Sequence, residues 1–259
     1  MSDFDRNYAA TRGVGLGRAA VIDAGLRAYM LRVYNYMAIG VALTGLAAWI
    51  TYSLAATTDP SLAVGKLSNG VMLTSLGYTL FQSGFQWVLL LAPLALVFFL
   101  SFRIQHLQPA TAQGLFFFYA ALLGVSLAPI FMIYTGASVA RVFFISAASF
   151  GALSLYGYTT QRDLSPIGSF CMMGLFGIIL ASLVGLFFPS PGLTFVISVV
   201  GVLVFAGLTA WDTQSIKEMY SVNDDGTIAG RKAIMGALRL YLDFINLFLM
   251  LLRLMGDRR

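Results

Sequence analysis

A bundle of seven membrane-spanning helices is the fold class this sequence predicts, and three observations carry the prediction. Apolar residues make up 59% of the 259-residue chain and charged residues only 10%. A soluble domain needs about a quarter of its positions charged. The mean hydropathy is +0.82. Finally, the apolar residues are gathered into unbroken runs near the ~20 residues that cross a hydrocarbon core of ~30 Å as a helix. Membrane strands would instead alternate over ~10 residues, so a barrel is excluded and the fold is all-α.

Six of the runs are free of charge: 33–55, 84–102, 114–134, 142–161, 167–188 and 193–211. Breakers separate them: Asp59-Pro60 with Gly65 and Gly70, then Gln108-Pro109, Thr135-Gly136, Ser165-Pro166, and Pro189-Ser190-Pro191-Gly192. The last is a helix-to-helix hairpin turn. A seventh run, 233–252, carries Arg239 and Asp243, so it belongs inside the bundle, with six helices packed around this polar last helix. The chain thus divides into a leader (1–32), a membrane domain (33–252) and a short basic tail (253–259). Glycine pairs within the runs (Gly40 and Gly45, Gly174 and Gly177, Gly201 and Gly207) suit close helix approach, or are ordinary membrane-helix usage.

Arg6, Arg12, Arg18, Arg27 and Arg32 place the N-terminus in the cytoplasm, together with Arg103, Arg162 and the 212–232 segment. Lys66 and Arg141 fall outside. Arg253, Arg258 and Arg259 would also be outside if the last helix crosses fully, against the charge bias, so that helix either crosses under packing constraint or re-enters; seven full crossings are preferred. The first apolar run follows a long polar leader and is as long as a full span, so it is retained as an anchor.

Two carboxylates stand where a spanning helix should have none, Asp212 and Asp243. An ionisable group at that depth costs at least ~2.5 kcal/mol, so it faces a cavity, finds a partner or does work. Two such groups within a few ångströms in a low-dielectric pocket cannot both ionise easily, which makes a proton-sensitive switch. Ionised, they offer hard oxygen ligands that suit calcium, although two are too few for a tight closed site. Weak binding fits passage, since a conducted ion must also leave.

Arg103, at the end of the second run, is close in depth to Asp212 and could latch onto it across the bundle, or meet lipid phosphates. Arg239 lies one turn before Asp243 and could neutralise it as an i,i+4 pair. Asp212, beside Trp211 and Thr213-Gln214, also fits a residue at the water interface. His106, the one histidine, reads as a loop residue, and Cys171, the one cysteine, as core or lipid-facing. Zinc and haem sites are therefore excluded. No phosphate loop, Gly-x-Ser-x-Gly elbow or His-Glu-x-x-His motif occurs, and no enzymatic activity is expected; an intramembrane aspartyl protease would want a Gly-x-Gly-Asp context. The net charge of +5 comes from arginines that meet anionic lipid, with no basic patch for nucleic acid.

Four segments together resemble bacterial members of the Bax-inhibitor (transmembrane Bax inhibitor motif) family over nearly the whole membrane region. They are Leu122-Leu123-Gly124-Val125-Ser126-Leu127-Ala128-Pro129, the run from Ala147 to Gly157, Ala210-Trp211-Asp212-Thr213-Gln214, and the run from Ala237 to Phe248. The resemblance implies a seven-helix fold with a central last helix and a pH-sensitive calcium leak governed by paired aspartates, here Asp212 and Asp243. It matches Arg103 to the family's latch arginine, in a looser motif. The 212–243 interval departs from the pattern, holding an extra polar stretch, Asn223-Asp224-Asp225-Gly226, that could hinder or regulate opening.

Some relatives instead modulate a membrane-bound ATP-dependent protease through a cytoplasmic N-terminal tail. The leader, with its Gly13-Val14-Gly15-Leu16-Gly17 run, could do so here or could be a plain flexible segment. The expected partners are the lipid bilayer and calcium ions as cargo, with such a protease as the alternative. No cofactor is implied beyond that transient cation.

Overall fold

The computed structural model describes residues 24–67 and 69–259 in full, and of residues 3–23 only the helical backbone. The Gly13–Gly17 run lies outside the described side chains. Helix α1 is Asp3–Ala55, so the first span continues N-terminally of residue 33 without a break, its apolar part covering Ala24–Ala55. There follow α2 (Ser75–Phe81), α3 (Phe85–Arg103), α4 (Pro109–Leu127), α5 (Pro129–Ile133), α6 (Gly136–Thr159), α7 (Ser165–Phe187), α8 (Pro191–Glu218) and α9 (Gly226–Met255). Among the described residues, seven stretches are long and apolar enough to cross a membrane: α1, α3, α4 with α5, α6, α7, α8 and α9.

Local chemistry sets where these helices begin and break. Gln108 is extended and Pro109 opens α4, because a proline at the first helical position gives up only an N–H that has no intrahelical partner. Thr135 accepts from the Ser138 N–H at 3.3 Å to cap α6, and Asp225 accepts from the Ile228 N–H at 2.7 Å to cap α9. Pro129 separates α4 from α5. Several helices outrun the apolar stretches that announce them, because caps rather than hydropathy end a helix. Helix α8 runs to Glu218, which puts Asp212 inside a helix.

The 56–84 interval, expected only as turns, folds into a three-stranded antiparallel sheet with α2 against it. The strands β1 (Ala56–Thr57), β2 (Gly65–Lys66) and β3 (Met72–Leu73) lie in the order β1-β3-β2, with Ala56 and Gly65 both paired to Leu73. Two-residue strands are too short to show a period of two. This sheet marks one end of the bundle, the hairpin end.

Helix α9 runs the full length of the bundle. Arg231 near its start donates to the Leu107 carbonyl oxygen at 2.6 Å, at the opposite end from the sheet. Beyond its last turn, the Asp257 carbonyl oxygen accepts from the Thr135 N–H at 3.1 Å and the Arg259 N–H donates to the Ile133 carbonyl oxygen at 2.9 Å. The 253–259 segment is thus tied down at the hairpin end rather than trailing free.

Of the seven spans α9 is the most enclosed, 72% of its apolar stretch being buried against 11–44% for the others. It packs against α1, α4, α6 and α8. Helix α3 lies chiefly on α4, and α7 on α8. Four helices therefore surround α9 where a ring of six was expected, because α3 and α7 carry apolar residues all round and spend them on lipid. Tyr241 is fully buried at the middle of this packing, edge-on to Phe116 and Tyr119. Its hydroxyl meets Thr44 Oγ1 at 2.6 Å, and Thr44 lies 2.8 Å from the Ala120 carbonyl oxygen, which leaves neither hydroxyl stranded.

Candidate functional site

One turn of α8, Trp211-Asp212-Thr213-Gln214, sends its four side chains to different neighbours, as the ~100° step between residues requires. Trp211 covers α7 at Gly168, where an added Cβ would come within 2.2 Å of the indole. Thr213 Oγ1 lies 2.9 Å from Ser154 Oγ on α6, which Tyr34 of α1 also reaches. Gln214 clamps the connection between α6 and α7, accepting from the Leu164 N–H at 2.8 Å and donating to the Arg162 carbonyl oxygen at 2.9 Å. Asp212 is left to face α9.

On α9, Arg239 and Asp243 are one turn apart and share the face turned to α8. Arg239 Nη1 stands 3.8 Å from Asp212 Oδ1. Asp243, one turn further along the same face of α9, neighbours Asp212. Both carboxylates are buried, at 9% and 5% exposure, so the water-interface reading of Asp212 does not apply. Asp243 Oδ2 has no hydrogen-bond partner among the described residues. Two buried acids and one half-exposed base thus form a cluster with one more negative than positive group, if all ionise.

Arg103 is not part of this cluster. It lies exposed at the end of α3 and forms no ion pair among the described residues. Arg239 takes the place beside Asp212 that sequence reasoning offered to Arg103. The i,i+4 spacing drew attention to Arg239 with Asp243 and hid its reach across the helix interface. The hydroxyl links Thr44–Tyr241 and Tyr34–Ser154–Thr213 were also missed; their signal was polar side chains inside apolar runs.

The polar stretch at 223–226 lies at the same end of the bundle. Lys232 reaches back to Asp224 Oδ2 at 2.6 Å and to the Met219 carbonyl oxygen at 2.9 Å. Tyr220 packs on Tyr29 of α1, ring centroids 5.6 Å apart. Tyr29 is buried, and its hydroxyl finds no partner among the described residues.

No group of three or more His, Cys, Asp or Glu side chains converges among the described residues. A cation at Asp212 and Asp243 would meet two carboxylates and a competing guanidinium, a donor set for transit rather than storage. His106 is exposed in the turn after α3. Cys171 is buried against Gly207, where its sulfur fills the space a Cβ would need.

The family model described as inhibitor of apoptosis-promoting Bax1 matches residues 26–259. The protein RP147 of Rickettsia prowazekii is 49% identical over 261 residues, covering 100% of both chains. A Caulobacter vibrioides protein is 42% identical, again over 100% of both. The inner membrane protein YbhL of Escherichia coli is 45% identical over 238 residues, 91% of this chain and 94% of that one.

Proposed function

We propose that this chain, a multi-pass membrane protein that belongs to the Bax-inhibitor family, is a proton-sensitive leak for calcium ions in a bacterial inner membrane. The observation that carries the reading is the pairing of Asp212 with Arg239, with Asp243 buried one turn along from Arg239, between the two most enclosed spans, α8 and α9. Buried acids kept at that depth are functional far more often than ornamental.

In this reading Arg239 is the closing partner. It sits one turn nearer than Asp243 to the end that holds the 219–225 turn, so a cation approaching from there must displace it from Asp212. Protonating Asp212 dissolves the ion pair, and deprotonating the pair of acids supplies oxygen ligands for the cation; flux therefore responds to pH. In this reading that end faces the cytoplasm, the side that the bias of the arginine-rich leader favours. The 223–226 stretch and the Tyr29–Tyr220 contact lie at that same end, where they could regulate entry.

Calcium entry into proteoliposomes holding the purified chain, compared with empty vesicles, tests the reading. A dye signal above the empty-vesicle baseline that survives deletion of residues 2–23 supports a leak. No signal from folded protein overturns it, and an effect on a membrane-bound protease that vanishes with the same deletion would put the tail-mediated modulator in its place.

A further inference from the structure

Arg258 and Arg259 stand at the hairpin end, where the bias of basic residues to the other side of the membrane leaves few cations. The main chain fixes them there through the bonds of Asp257 and Arg259 to Thr135 and Ile133. Asp257, the acid beside them, is engaged elsewhere, 2.8 Å from Arg141. Neither guanidinium then has a carboxylate partner among the described residues. Arg258 lies over the Tyr134 ring at 5.9 Å, and Arg259 over Tyr52 at 5.7 Å with one N–H to its hydroxyl at 3.1 Å. Each keeps most of its five donors free.

Both arginines line a cavity of about 520 Å³ whose walls are largely apolar, among them Leu80, Phe81, Leu89 and Leu90. Two of its polar wall groups are already engaged: Ser126 Oγ donates to the Leu89 carbonyl oxygen at 2.6 Å and Asn69 Nδ2 to that of Met132 at 2.7 Å, while the Gln86 amide makes no side-chain hydrogen bond among the described residues. Leu90 is 62% exposed, which opens the slot sideways to lipid. A second cavity, of about 610 Å³, meets the first at Arg259.

An apolar slot beside the bilayer with two unpaired arginines at its mouth matches one acyl chain joined to an anionic headgroup. We propose that this slot binds an anionic phospholipid, its phosphate on Arg258 and Arg259 and a chain along Leu80, Phe81 and Leu89. A soluble phosphate would satisfy the arginines and leave the walls empty. A zwitterionic lipid would fill the walls and bring a quaternary ammonium up to two guanidiniums.

The purified full-length chain in detergent, titrated with phosphatidylglycerol, phosphatidylcholine and glycerol phosphate and read by native mass spectrometry, decides the matter. Phosphatidylglycerol is expected to bind roughly 10-fold or more tighter than phosphatidylcholine, the contribution of two cations near a lipid surface. That preference falls to about twofold or less in the Arg258→Gln, Arg259→Gln double variant and persists in the Arg258→Lys, Arg259→Lys double variant. Equal binding of the two lipids to the unaltered chain, or a preference unchanged in the Gln double variant, overturns the proposal. Binding of glycerol phosphate as tight as the lipid would assign the arginines to a soluble anion and overturn it as well. Circular dichroism of each variant, matched to the parent, keeps misfolding from imitating the expected loss.

Discussion

Arg239 Nη1 lies 3.8 Å from Asp212 Oδ1 on the neighbouring helix, although Asp243 stands one turn away on its own. The guanidinium side chain is 40% exposed and that of Asp212 13%, so the pair straddles the edge of the enclosed region, with Asp243 behind it. A base at the mouth and two acids within is the arrangement on which the leak reading rests.

Replacing Arg239 with Gln removes the closing partner and should raise calcium flux in proteoliposomes. Arg103→Gln, at an exposed helix end, should leave flux unchanged. The stability lost with Arg239 should be about 1 kcal/mol, the upper range for a pair with one partner open to solvent. Equal effects of the two substitutions on flux would return the latch role to Arg103.

Gln214 joins α8 to the connection between α6 and α7 through two hydrogen bonds. Gln214→Ala should cost about 1 kcal/mol for each bond and leave the Leu164 N–H without its partner. Hydrogen exchange at residues 162–165 should accelerate while the centre of α9 is unaffected. Unchanged exchange there would mean that Gln214 does not hold the connection.

Gly157 is needed for close approach: a Cβ there would lie 2.1 Å from the Ala210 carbonyl oxygen, a backbone atom that cannot swing aside. Gly157→Ala should force α6 away from α8 and destabilise the protein by about 1–3 kcal/mol, seen as a lower melting temperature in detergent. Gly151→Ala, with open space at its Cβ, is the matched control and should be neutral or better.

Asp163 lies in the connection outside the spans, and the Ser165 hydroxyl and N–H hold its carboxyl below the ordinary value of 3.8. A carboxyl lowered in the folded state adds stability above its unfolded value, and the gain is lost as pH falls through the folded value. Melting temperatures of the parent and Asp163→Ala should therefore differ above about pH 4 and converge in stronger acid. A difference constant down to the lowest pH would show that the bond is not to the ionised form.

The spans were legible because lipid demands apolar runs of one length, and the two acids because lipid penalises them. Legibility ended where single side chains choose between partners. Arg239 has Asp243 at i+4 and Asp212 across the interface, and nothing in the order of residues says which it faces. The extent of α8 beyond residue 211 was hidden because Trp211 and Asp212 lower the hydropathy without breaking the helix. The little sheet was hidden because its strands are two residues long. The place of α3 and α7 outside the ring around α9 depends on which faces are spent on lipid, and an apolar helix looks alike on every face.

The most direct test of the buried acid pair is calcium flux into proteoliposomes across pH 6 to 8 for the parent, Asp212→Asn and Asp243→Asn. If the pair senses protons, parent flux changes across this range and each variant conducts at a level independent of pH. A pH dependence retained in full by both variants would place the sensor elsewhere and contradict the proposed role of Asp212 and Asp243.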